Sequence, residues 1–200
     1  MTLRIGILIF DGAEELDFVG PFEVFTMARF LKADSCEVML IAERDAPVAC
    51  AKGMRVLPDA TIVNCGALDV LLVPGGQGTR REVENKPLLA WIADVAKTAA
   101  WITSVCTGAM LLTAAGPARG KRVTTHWAFI EPLRARGEAA QVLEHYRYVQ
   151  DGNVVTSAGV SAGLDMALWL VGQIFDIPFA RSVQHRMEYE PLPPYGGLVG

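Results

Sequence analysis

The chemistry this chain can do centres on one sulfur. Cys106 stands between an apolar, β-branched run (residues 101–105) and residues 107–115, which are rich in Ala, Leu and Met and stop at Gly116-Pro117. The first stretch reads as a buried strand and the second as a helix. A strand that passes directly into a helix must turn sharply, and the residue at the turn projects from the strand's carboxyl end. This is the mechanics of a nucleophile elbow, with cysteine in the serine position and Gly108 permitting close backbone approach. The free N–H groups and positive dipole end of the helix favour thiolate over thiol there. An arbitrary free cysteine is more often an inert core residue; the strand–Cys–Thr–Gly–helix setting separates Cys106 from that class.

Three further groups could serve such a sulfur. Asp17 follows the first apolar run, and a carboxyl at that strand end could reach a thiol at a neighbouring one. Repulsion from a thiolate and desolvation would raise its pKa and make it a proton donor; otherwise it merely complements a helix dipole, as Glu14 and Glu15 do. Gly75 and Gly76, with the N–H of Thr107, could face a developing negative charge or form an ordinary turn. No Gly-Lys-Ser/Thr follows them, so they make no phosphate loop. His126 either orients Cys106 as a base or fills a core gap beside Trp127. His145 and His185 read as surface residues, and Phe22, Phe25, Met27 and Trp169 as core. The cysteines (36, 50, 65 and 106) show no C-x-x-C pair and no Cys/His cluster, so no metal site is expected.

These groups need elements to carry them. Residues 3–10 read as a strand and 14–30 as a helix, kinked or restarted at Gly20-Pro21. Residues 37–42 and 68–73 read as core strands, with a hairpin over 48–57 between them. The second core strand ends in the glycine-rich loop 74–78. An amphipathic helix with Pro at its start covers 87–99. After the elbow come a brief strand or turn (123–127), a helical stretch (128–136) and a hairpin of 141–150 with 153–157 about Asp151-Gly152. Helices over 161–175 and 178–189 precede an extended tail, 191–197. Strands alternating with helices imply an α/β fold, a mostly parallel sheet with helices on both faces. Such a sheet binds ligands at the carboxyl ends of its strands, where the loop after the first strand, Gly75-Gly76 and Cys106 converge.

With 200 residues, 52% apolar and 20% charged, the chain reads as one globular domain over 1–200. A net charge of −4 argues against a nucleic-acid partner. No apolar run reaches the length of a membrane span. The N-terminal stretch does not read as a signal peptide, so a cytoplasmic location is expected.

Several motifs together carry a resemblance: residues 9–17 with Gly20-Pro21, Val73-Pro-Gly-Gly76, Ser104-Val-Cys106-Thr-Gly108, residues 120–127 ending in Thr-Thr-His126-Trp127, and residues 158–165. On these the chain resembles the ThiJ/PfpI superfamily, and the resemblance implies a flavodoxin-like, class I glutamine amidotransferase-like fold. Thr107 follows the cysteine where the protease-like branch has histidine, and Asp17 stands where the deglycase branch has glutamate. The Cys-Thr-Gly, Leu-Asp-x-x-Gly-Pro and Thr-Thr-His-Trp motifs look most like the isocyanide hydratase branch, and equally like the ligand-binding halves of AraC-type regulators. No helix-turn-helix module follows, which sets the expectation of a stand-alone enzyme, although the C-terminus is shorter than a hydratase's. The resemblance implies Cys106 as nucleophile, Asp17 as acid/base and Thr107 as a contributor beside the sulfur. It implies addition of water to an isocyanide to give an N-substituted formamide, a small-molecule substrate, a homodimer, and no metal or organic cofactor. The alternatives are a glyoxalase or deglycase acting on methylglyoxal, and a non-catalytic small-molecule or oxidative-stress sensor.

Overall fold

The apolar runs become strands wherever both of their faces are covered. A computed structural model describes residues 2–190. Its elements in chain order are β1 (Leu3–Leu8), α1 (Glu15–Leu31), β2 (Cys36–Ala42), β3 (Val48–Ala49), β4 (Arg55–Val56), β5 (Ala60–Thr61), β6 (Val70–Val73), α2 (Thr79–Glu82) and α3 (Lys86–Val95). They continue as β7 (Trp101–Val105), α4 (Gly108–Ala115), β8 (Arg122–Val123), a 3₁₀ turn (Trp127–Phe129), α5 (Ile130–Ala135), β9 (Gln141–Val142), β10 (Tyr148–Asp151), β11 (Val154–Ser157), α6 (Ala162–Ile174) and α7 (Ile177–Arg186).

Seven strands form one sheet in the order β10-β11-β7-β6-β1-β2-β5. All pairs are parallel except β10 with β11. Helices α1, α6 and α7 pack together, while α2 and α3 pack against α4, giving a flavodoxin-like sheet with a helical layer on each face. The interior strands are sealed: Ile5, Ile7, Val70, Leu71, Leu72 and Ile102 are fully buried. From β1 the chain passes outward to β2 and then returns to the other side of β1 as β6. That reversal opens a crevice at the carboxyl ends of the central strands, and the loops carrying Asp17, Gly75 and Cys106 lie at its rim.

Several expectations are corrected. Helix α1 does not restart at Gly20-Pro21; it runs through Pro21. Proline removes a single intrahelical donor, and burial of Gly20 and Pro21 against the core holds the helix together. Residues 141–150 are not one strand. Gln141–Val142 pairs with β8 in a separate two-stranded sheet, and Tyr148–Asp151 joins the main sheet. The β10–β11 turn is shifted by one residue: Asp151 pairs with Val154, so Gly152-Asn153 makes the turn, with Gly152 at φ +63°. The helix predicted over 87–99 starts at Lys86 and ends at Val95, capped by the Asn85 side chain. Phe25 is buried; Phe22, Met27 and Trp169 sit at the edge of the core. The extended tail expected at 191–197 lies outside the described residues. Among the described residues no helix is long and apolar enough to cross a membrane.

Candidate active site

The elbow forms as its residue types dictate. Strand β7 ends at Val105 and α4 begins at Gly108; Cys106 between them takes φ +58°, a left-handed conformation uncommon for a residue with a side chain. The turn is clamped from both sides. The Cys106 N–H donates to the Ser157 and Ala158 carbonyls, each at 3.1 Å, and its own carbonyl accepts from the Thr125 hydroxyl at 2.7 Å. A Cβ on Gly108 would lie 2.2 Å from the Val73 carbonyl oxygen, so only glycine lets α4 leave this close to β6.

Asp17, in the first turn of α1, is completely buried. Its carboxyl accepts from the Gly75 N–H (2.9 Å) on one oxygen and from the Val160 N–H (3.0 Å) on the other. The Cys106 thiol lies close enough that the two groups perturb each other's proton affinity. Burial pushes the Asp17 pKa up to about 7, outweighing the two N–H donors. Burial, with the neighbouring carboxylate, pushes the Cys106 thiol up to about 12. The expected preference for thiolate is therefore overturned: the thiol of a residue only 7% exposed loses more by desolvation than the helix end returns, although the Thr107 N–H and hydroxyl draw it back down. The acid is thus poised near neutrality, and the thiol is held protonated beside its carboxylate.

The two glycine N–H groups expected to face an oxyanion are both committed within the protein. Gly75 holds Asp17, and the Gly76 N–H donates to the Thr107 hydroxyl at 3.0 Å. Thr107 also accepts from the Thr79 hydroxyl at 3.1 Å, and its own hydroxyl donates to the Gly76 carbonyl at 3.3 Å. His126 is not bonded to Cys106; its Nδ1 accepts from the Ala128 N–H at 3.2 Å and caps the 3₁₀ turn. Burial lowers its pKa. It does line, with Cys106, Thr107, Val160, Glu14 and Arg80, a cavity of about 250 Å³.

Two contributors escaped the sequence. Val160, before α6, holds its N–H on Asp17 by adopting φ +56°, a costly conformation for a β-branched residue, worth about 1–3 kcal/mol. The other is the β3–β4 hairpin, which straps the Asp17 loop through Gly12 N–H to Ala49 O (2.7 Å), Ala51 N–H to Ala13 O (2.8 Å) and the Lys52 N–H to the Glu15 carboxylate (2.7 Å). The side chain of Lys52 pairs with Glu14. Nothing in the hairpin's residue types points to this long-range contact. Among the described residues no three His, Cys, Asp or Glu side chains gather into a metal-binding group.

A doubly wound α/β protein with a buried cysteine on an elbow and a buried acid beside its sulfur is the class defined by this fold and site. The chain belongs to the DJ-1/PfpI family, which matches residues 3–173. It is 38% identical over 195 residues to an isonitrile hydratase of Pseudomonas putida, covering 98% of this chain and 82% of that protein. A crystal structure of a ThiJ/PfpI family protein from Pseudomonas syringae superposes with a TM-score of 0.87 at 34% identity, covering 98% of this chain and 78% of that one. A glutathione-independent glyoxalase of Caenorhabditis elegans is 27% identical over 168 residues, covering 80% of this chain and 82% of that protein.

Proposed function

We propose that the protein hydrates isocyanides to N-substituted formamides, with Cys106 as nucleophile and Asp17 as acid and base. The observation that carries this is the pairing of a fully buried acid, poised near pH 7, with a cysteine on a left-handed elbow. In its reactive tautomer the pair is a thiolate beside a carboxylic acid. Asp17 gives its proton to the terminal isocyanide carbon, and the thiolate adds to that same carbon, forming an S–C bond and leaving a thioimidate and a carboxylate. Water then attacks the thioimidate carbon. One of its protons passes through Asp17 to nitrogen, and its oxygen stays on carbon as a hydroxyl. The hydroxyl collapses to a carbonyl, the S–C bond breaks, and the hydroxyl proton returns to Asp17. The sum is addition of one water, with thiolate and acid restored.

The commitment of the Gly75 and Gly76 N–H groups supports this choice. Acyl transfer needs free donors aimed at a carbonyl oxyanion, whereas the first addition to an isocyanide puts no charge on oxygen. The 38% identity to an isonitrile hydratase is consistent with the same chemistry.

The test is formamide production from an aryl isocyanide, followed by ultraviolet absorbance. Wild-type protein turns it over and Cys106→Ala does not; an inactive wild type discards the assignment. A glyoxalase is the alternative, favoured by Arg80, a cation on the cavity wall able to pair with a carbonyl oxygen. It predicts lactate from methylglyoxal in the same preparation.

A further inference from the structure

A second, larger hollow adjoins the sulfur's cavity. It measures about 580 Å³ and lies between residues 124–130, the loop at 144–147 and residues 158–160. The two hollows have His126 and Val160 in common, so they share a wall at the imidazole. The volumes assign different tasks. About 250 Å³ accommodates a small functional group, while the outer space falls in the range of cavities that hold the body of an organic ligand.

The outer walls specify what that body is. Trp127 is 81% exposed, and its ring stands beside His126 with centroids 5.5 Å apart and planes inclined by 35°. Ile130, buried, and Tyr146, exposed, line the same hollow. An indole held against another ring with its remaining surface in water forgoes the burial that makes aromatic side chains valuable. A planar apolar group laid on it recovers that burial. Desolvation keeps the His126 pKa below its ordinary value, so at neutral pH the shared wall presents an uncharged ring to an uncharged guest.

We infer that this outer hollow is the subsite for the organic group of the substrate, with Trp127 as its specificity-determining face for planar aromatic groups. In its kinetic form this rests on the hydratase proposal; in its binding form it does not. The kinetic test compares kcat/KM for phenyl isocyanide and methyl isocyanide in wild type, Trp127→Ala and Trp127→Phe. The phenyl-to-methyl ratio falls about tenfold in the alanine variant and is largely retained in the phenylalanine variant, which keeps a flat face. An unchanged ratio in Trp127→Ala overturns the inference.

The binding test uses formanilide and N-methylformamide on the wild-type protein. The Trp127 indole N–H resonance in a ¹H–¹⁵N spectrum is assigned by its loss in Trp127→Phe. Formanilide shifts it saturably, whereas N-methylformamide at the same concentration does not. Equal shifts, or none, overturn the subsite. A wild type that hydrates neither isocyanide but still shows the selective formanilide shift defeats the hydratase proposal and leaves the subsite standing.

Discussion

Asp17→Asn separates the energetic cost of the buried acid from its shape. Asparagine is nearly isosteric, but its amide group cannot accept from both the Gly75 and Val160 N–H groups as the carboxylate does. One donor then faces an NH₂, at a cost of about 1–3 kcal/mol that does not vary with pH. The carboxylate's own contribution does vary. Burial holds the folded pKa at about 7 against an ordinary value of 3.8, so as pH rises the unfolded chain releases this proton first. Between those two values the folded state binds more protons, and stability falls by about 1.4 kcal/mol per pH unit. The stabilisation is complete below the unfolded pKa and gone above about pH 7. From pH 4.5 to pH 8 the wild type therefore loses about 3 kcal/mol through Asp17 alone, and Asp17→Asn does not. Other carboxylates titrate alike in both proteins and cancel in the difference, and the Cys106 thiol contributes only under more alkaline conditions. The assay is urea unfolding of both proteins across that pH range, with the two stabilities subtracted at each pH. The difference should shift by about 3 kcal/mol in favour of the asparagine variant as pH rises. Parallel curves would refute the reasoning, because they would mean that Asp17 titrates in the folded protein much as it does in the unfolded chain.

Two further substitutions probe the elbow. Gly75→Ala puts a methyl 2.5 Å from the Thr107 nitrogen and 2.8 Å from the Cys106 Cβ, and both are held by the backbone. The elbow must shift, costing about 1–3 kcal/mol of stability and at least a hundredfold in formamide production; near-wild-type turnover would show that this packing is not critical. Thr107→Val keeps the shape but removes the acceptor for Gly76 and Thr79 and the hydroxyl that draws the Cys106 pKa down. Stability should drop by about 1–3 kcal/mol. Alkylation of Cys106 by iodoacetamide at pH 8, followed by mass spectrometry, should slow several-fold; an unchanged rate would mean that the hydroxyl does not serve the sulfur.

Much of this was legible from local pattern. The strand over 101–105 and the helix after it follow from residue type within a dozen positions, and so does the elbow between them. The alternation of strands and helices implied a parallel sheet, and the rule that ligands gather at its carboxyl ends brought Asp17, Gly75 and Cys106 to one crevice. Local pattern failed where a remote contact overrides it. Gly20-Pro21 reads as a place where the helix could restart until α1 is packed on the core, and residues 141–150 read as one strand although their two ends join different sheets.

The site's electrostatics show the same division. Residue types put a thiol at a helix start and an acid nearby, and a helix end by itself favours a thiolate. Only the tertiary structure decided how dry the place is. Complete burial of Asp17 and near-complete burial of Cys106 raise both pKa values, because charge is penalised by everything that excludes water from it, wherever in the chain those groups lie. Val160 makes the point most sharply: 143 residues separate it from Asp17 in sequence, and its strained backbone delivers an N–H to the acid. Sequence set which groups were present and which strand ends carried them; folding set their distances and their dielectric surroundings, since both depend on contacts that local residue patterns do not encode.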